Sequence, residues 1–135
     1  MQYQQDWVMR QIEIIISILR GLIAGRSANK NKFDEFARST ALDESLRTKL
    51  SEKIAEHRIG EAEDLLFDAI ETSKEPLTED AFWFYEKINA LSDETLNAGD
   101  FSRAEILSGL REICGHYHLP DAVFFEILDK QRPGH

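Results

Sequence analysis

Cys114-Gly115-His116-Tyr117-His118 places a thiol and two imidazoles within five residues. Thiolate sulfur and imidazole nitrogen are the usual ligands of zinc and related transition metals. A structural zinc centre takes four ligands, so His57 or a carboxylate would have to join Cys114, His116 and His118. That set carries the alternative reading, a metal-binding protein or an enzyme. Against it stands an ordinary helix end, with histidines near the last carbonyls and Cys114 as a small buried apolar group. Other chemistry is sparse. The chain has no nucleophile elbow, phosphate-binding loop, zincin pattern or dinucleotide glycine set. With 25 acidic residues, close carboxylate pairs are inevitable, and Glu61, Glu63 and Asp64 read as a solvated face. The expectation is a non-enzymatic protein without a cofactor.

Two further groups of residues have the chemistry of protein contact. Phe82-Trp83-Phe84-Tyr85 puts four aromatics in a row, too many for one face of a helix. Phe84 and Tyr85 fall on the side of Ile88, while Phe82 and Trp83 point elsewhere. Packing on both faces explains this most simply. An aromatic anchor for a peptide or partner helix is the sharper alternative. The second group lies near the N-terminus, where Trp7, Val8, Met9, Ile12, Ile14, Ile15, Ile16, Ile18, Leu19, Leu22 and Ile23 fill most of a helical circumference. Asp6, Arg10, Glu13, Ser17 and Arg20 occupy a narrow stripe. So wide an apolar arc requires cover on at least two sides, and self-association supplies it. Candidate partner-binding residues are therefore Trp7, Ile15, Ile18, Leu22, Phe82 and Trp83.

Charge limits the partners. The 135-residue chain carries a net −9 and a pI of about 4.9, which disfavours nucleic acid. Residues 1–32 hold Arg10, Arg20, Arg26, Lys30 and Lys32 against Asp6 and Glu13, a local +3, leaving −12 for the remainder. Glu13, Ser17 and Arg20 interrupt the aliphatic run, so no transmembrane segment is expected. A membrane-surface helix would show a broad basic face, and this one does not. The lone cysteine argues against disulfides and for a cytoplasmic setting. A homodimer is the expected partnership.

These residues must be positioned by helices, since no alternating strand pattern or hairpin turn is present. The length is that of one domain. An N-terminal helix takes residues 1–24, and a loop with a short turn takes 25–41. Leu42, Leu46, Leu50 and Ile54 recur every four residues and open two helix pairs over 42–113. Thr78 reads as an N-cap and Gly115 as a C-cap. Pro120 suits the first turn of a C-terminal capping helix over 119–131, with Val123, Phe124, Ile127 and Leu128.

An internal repeat at an offset of 42 residues aligns Ala62-Glu63 and Leu65 with Ala104-Glu105 and Leu107. This resembles the tetratricopeptide pattern, in which a small residue in the second helix of each pair permits close packing. Ala62 and Ala104 match that position, and Leu46 and Ile88 match the large anchor of the first helix. Ser108, Arg111 and His57 depart from the pattern. The resemblance implies an all-α fold of five or six helices, arranged as tetratricopeptide-like hairpins with a long apolar N-terminal helix. It also implies a role in protein–protein interaction. Asp6-Trp7-Val8-Met9-Arg10-Gln11-Ile12-Glu13 and Asn97-Ala98-Gly99-Asp100-Phe101-Ser102-Arg103 are similar to an uncharacterised family of small helical proteins from Gram-positive bacteria. That similarity implies a fold and a bacterial source but no activity.

Overall fold

Leu46, Leu50 and Ile54 stand one turn apart, are all buried, and lie on a helix spanning Glu44–Ala55. In the computed structural model of the chain the described residues are 2–29 and 44–120, with side chains described for 6–25 and 44–120. Six helices occur among them: α1 (Gln2–Asn29), α2 (Glu44–Ala55), α3 (Ile59–Thr72), α4 (Thr78–Asn89), α5 (Asp93–Ala98) and α6 (Arg103–His116). The expected loop and turn fall largely on 30–43, and the expected capping helix on 121–135. Those segments lie outside the described residues.

The fold is organised around α4, which packs against α1, α2 and α6. Phe82, Phe84 and Tyr85 are all fully buried, so the aromatic run is explained by neighbours on several sides of one helix. Tyr85 meets Phe84 edge-on at 5.0 Å between ring centres. Around α4, the core takes Ile12, Ile15, Ile16 and Leu19 from α1, Ile59, Ala62, Leu66 and Ile70 from α3, and Ile106, Leu110, Ile113 and Cys114 from α6. Helices α2 and α3 pack against each other.

Two features of the expected fold are corrected. The first is the tetratricopeptide-like pairing. Ala62 is buried, but Ala104 is exposed. The buried positions of α3 and α6 superimpose at an offset of 44 residues, not 42: Ile59 with Arg103, Ala62 with Ile106, Leu66 with Leu110, Ile70 with Cys114. A shift of two residues turns a helical position by about 200°, which carries the aligned alanine from core to solvent. The second is the apolar character of the first helix. It is long, at 28 residues, but no helix among the described residues is long and apolar enough to cross a membrane. Its charged and small residues gather on one outward side, and its core side is a single face.

Helix ends also differ from expectation. Thr78 is the first residue of α4, and Leu77 precedes it without a side-chain cap. Glu79 and Asp80 do occupy the first turn, where the helix dipole favours acids. Gly115 lies inside α6, which ends at His116 with Tyr117 as its C-cap. Ser102 caps α6 in a reciprocal capping box with Glu105. Leu96 belongs to a separate short helix begun by Ser92, whose hydroxyl accepts from the Thr95 N–H at 3.1 Å.

The turn between α2 and α3 carries one local strain. His57 sits at φ 62°, a left-handed conformation that costs a side-chain-bearing residue roughly 1–2 kcal/mol. Glycine avoids that cost but loses more entropy on folding. His57→Gly should therefore stabilise the chain by about 0.5–1 kcal/mol, read as a raised urea midpoint at constant slope. A lowered midpoint would show that the imidazole makes a contact worth more than the strain.

Candidate interaction surface

Helix α1 is held to the body by its inner face and by polar ties to α4. Ile12, Ile15, Ile16 and Leu19 are buried. Arg20 reaches α4, where its Nη2 lies 2.6 Å from Glu79 and its Nη1 2.5 Å from Glu86. Burial works against the Arg20 charge, but hydrogen bonds and attraction from the two glutamates overcome it and raise its pKa. The Asn89 side-chain amide donates to the Met9 carbonyl at 3.0 Å. These ties fix which side of α1 faces outward.

That side carries Ile14, Ile18 and Leu22, which are 43%, 37% and 39% exposed. They stand four residues apart, so each is displaced about 40° from the last and together they form one stripe. They are the exposed large hydrophobics among the described residues. Of the residues proposed for partner contact, Ile18 and Leu22 lie on this stripe and Trp7 is half-buried. Ile15 and Phe82 are fully buried in the core, so neither offers a surface. Ile14 was missed because the sequence does not show which part of the wide apolar arc faces the body.

Trp83 is half-buried on the outer side of α4. The Arg47 guanidinium lies 4.6 Å from its ring centre and the Lys87 ammonium 5.6 Å away. Arg47 also bonds the buried carboxylate of Asp80 at 3.4 Å. The indole face is thus engaged by cations of its own chain.

The Cys/His cluster does not assemble. Helix α6 continues through Gly115 to His116, which sets positions 114 and 116 about 200° apart. Cys114 turns into the core and is fully buried. His116 is exposed and stands edge-on to Tyr117, and His118 is exposed in a left-handed turn at φ 58°. No group of three or more His, Cys, Asp or Glu among the described residues could hold a metal ion. The metal-binding or enzymatic alternative built on Cys114, His116 and His118 is therefore set aside.

A groove of about 500 Å³ runs between α3 and α6. Glu63, Asp64, Asp100, Glu105 and Glu112 line it, with Phe67 and Phe101. The Tyr85 hydroxyl passes between the helices and donates to Glu63 Oε2 at 2.7 Å. Burial raises the Glu63 pKa above the usual carboxyl value. The tyrosine hydrogen bond offsets this in part, while Glu112, Glu105 and Asp64 raise the pKa further. Burial and the neighbouring carboxylate also push the Tyr85 phenol far up, so it remains a donor.

The folded chain thus holds the Glu63 proton more tightly than the unfolded chain. The resulting stabilisation is fully present below the ordinary carboxyl value of 4.5 and is lost as pH rises through the higher folded value. At pH 7 the Glu63 charge is a net cost. Glu63→Gln keeps an acceptor for Tyr85 and should melt higher than the parent at pH 7, with the gap closing toward pH 4. A variant that melts lower at pH 7 would mean that the charge-assisted hydrogen bond outweighs desolvation.

The model of a protein family described as "Family of unknown function (DUF6483)" matches residues 2–118. The chain belongs to that family. No curated protein matches it, and no solved structure does. The expected resemblance to an uncharacterised family of small helical proteins holds at that level.

Proposed function

We propose that this member of the DUF6483 family is a non-enzymatic protein-interaction module that pairs with a second copy of itself through the outward face of α1. The observation that carries this reading is the single stripe of Ile14, Ile18 and Leu22. Isolated exposed hydrophobics are ordinary on protein surfaces. Three aligned on one rigid helix form a surface that gains about 25 cal/mol for each Å² removed from water. The ties from Arg20 to α4 and from Asn89 to Met9 present that surface without a conformational change. The buried lone thiol of Cys114 suits a reducing, cytoplasmic setting.

Light scattering on a dilution series tests the reading. The intact chain should show twice its 15.5 kDa mass at high concentration and approach the single mass on dilution. Ile18→Glu should remain at the single mass, with an unchanged far-ultraviolet circular dichroism spectrum. An intact chain of single mass throughout the series would overturn the proposal.

A further inference from the structure

The groove between α3 and α6 is lined by acids that no cation answers. Glu63 and Asp64 come from α3, Asp100 from the turn before α6, and Glu105 and Glu112 from α6. Among the described residues no lysine or arginine pairs with any of these five. By contrast, Asp80 pairs with Arg47, Glu79 with Arg20 and Asp93 with Arg103. Glu63 is half-buried, while the other four groove acids are exposed. It is also a tie between helices, since its Oε2 accepts the hydroxyl of Tyr85 on α4 at 2.7 Å. No other side-chain hydrogen bond joins α3 to α4 or α6 among the described residues. Helix α6 packs on α4 and α1, whereas α3 packs closely on α2.

The charge on Glu63 sets the balance at this tie. An ionised carboxylate is costly to keep half-buried, and like charges repel more strongly across a seam with little water. Outward movement of α3 returns Glu63 to water and spreads the acids apart. A neutral Glu63 gains nothing from that movement and still accepts from Tyr85. The fold favours the neutral form: burial raises the Glu63 pKa and, against the tyrosine hydrogen bond, Glu112, Glu105 and Asp64 raise it further. We infer that the Tyr85–Glu63 hydrogen bond is a pH-sensitive latch. It holds α3 against α4 and α6 while Glu63 is neutral, and it releases α3 as Glu63 ionises among Asp64, Asp100, Glu105 and Glu112. The latch involves no residue of α1, so it stands or falls apart from the proposed pairing.

Amide hydrogen exchange of the full chain from pH 4 to pH 8, corrected for the intrinsic exchange rate, tests the latch. The readout is how often the α3 amides open relative to those of residues 81–88 in α4. In the parent this ratio should rise several-fold as pH rises. Glu63→Gln keeps the acceptor without the charge and should hold the low-pH ratio throughout. Tyr85→Phe removes the donor and should raise the ratio more at pH 4, where the latch is closed, than at pH 8. A parent ratio that does not change with pH would overturn the latch. So would a Glu63→Gln ratio that climbs as the parent's does, or a Tyr85→Phe effect as large or larger at pH 8.

Discussion

Arg103→Ala lowers the unfolding free energy by about 3–5 kcal/mol, because several buried or half-buried acceptors lose their donor at about 1–3 kcal/mol each. Arg103 is 5% exposed, and its guanidinium is shared among four acceptors. Nε donates to the Asn89 side-chain oxygen at 3.2 Å, and Nη2 donates to the carbonyls of Asn89 at 3.0 Å and Leu91 at 2.8 Å. Nη1 pairs with Asp93. The two carbonyls lie where α4 ends, and a cation is the favoured group at a helix C-terminus. Asn89 in turn holds the Met9 carbonyl, so the network joins α6, α4 and α1. Alanine would leave these acceptors without their donor in a buried region. Lysine should recover only part of the loss, since an ammonium cannot reproduce the planar fork of donors. Urea unfolding checks this through the midpoint at constant slope. A loss under about 1 kcal/mol would mean that water replaces the guanidinium at little cost, as at an exposed pair.

The second large effect runs against helix propensity. Gly109→Ala within α6 would by propensity gain about 1 kcal/mol. In this fold it should instead cost about 1–3 kcal/mol, the range for overpacking a close contact. A Cβ at position 109 would fall 2.0 Å from the Tyr85 hydroxyl oxygen, 2.5 Å from its Cζ and 2.7 Å from Glu63 Oε2. The tyrosine is fully buried between helices, so it yields only by disturbing the packing around it. Gly109→Ala in a Tyr85→Phe background should recover part of the loss, because the oxygen that makes the closest contact is gone. Thermal melts of the two singles and the double variant decide it. Independent, additive effects would show that Gly109 and Tyr85 do not oppose one another.

Much of the helical framework was legible from periodicity. The four-residue recurrence in α2 and the apolar positions of α3 are local patterns, and they fold as such. The failures required contacts between distant residues. The break between α4 and α5 depends on Arg103, which lies more than ten residues beyond the carbonyls that it satisfies. Gly109 has no local signature, because its role is defined by Tyr85 on another helix. The apparent repeat at Ala62 and Ala104 matched letters, while burial follows a register two residues away. The Cys/His grouping depends on the helix ending at Gly115, and the continuation to His116 separates its members. The exposed apolar stripe of α1 is half legible: the sequence points to Ile18 and Leu22, whereas Ile15 belongs to the core and Ile14 stands on the outside in its place.

In the proposed dimer a second copy covers the outward face of α1. Sedimentation equilibrium of the intact chain at several loading concentrations, beside Ile18→Glu, tests it most directly. A single reversible monomer–dimer constant should fit all loadings of the intact chain, and the variant should keep a mass of 15.5 kDa throughout. An intact chain that fits 15.5 kDa at every loading, or a variant that dimerises as tightly as its parent, would contradict it.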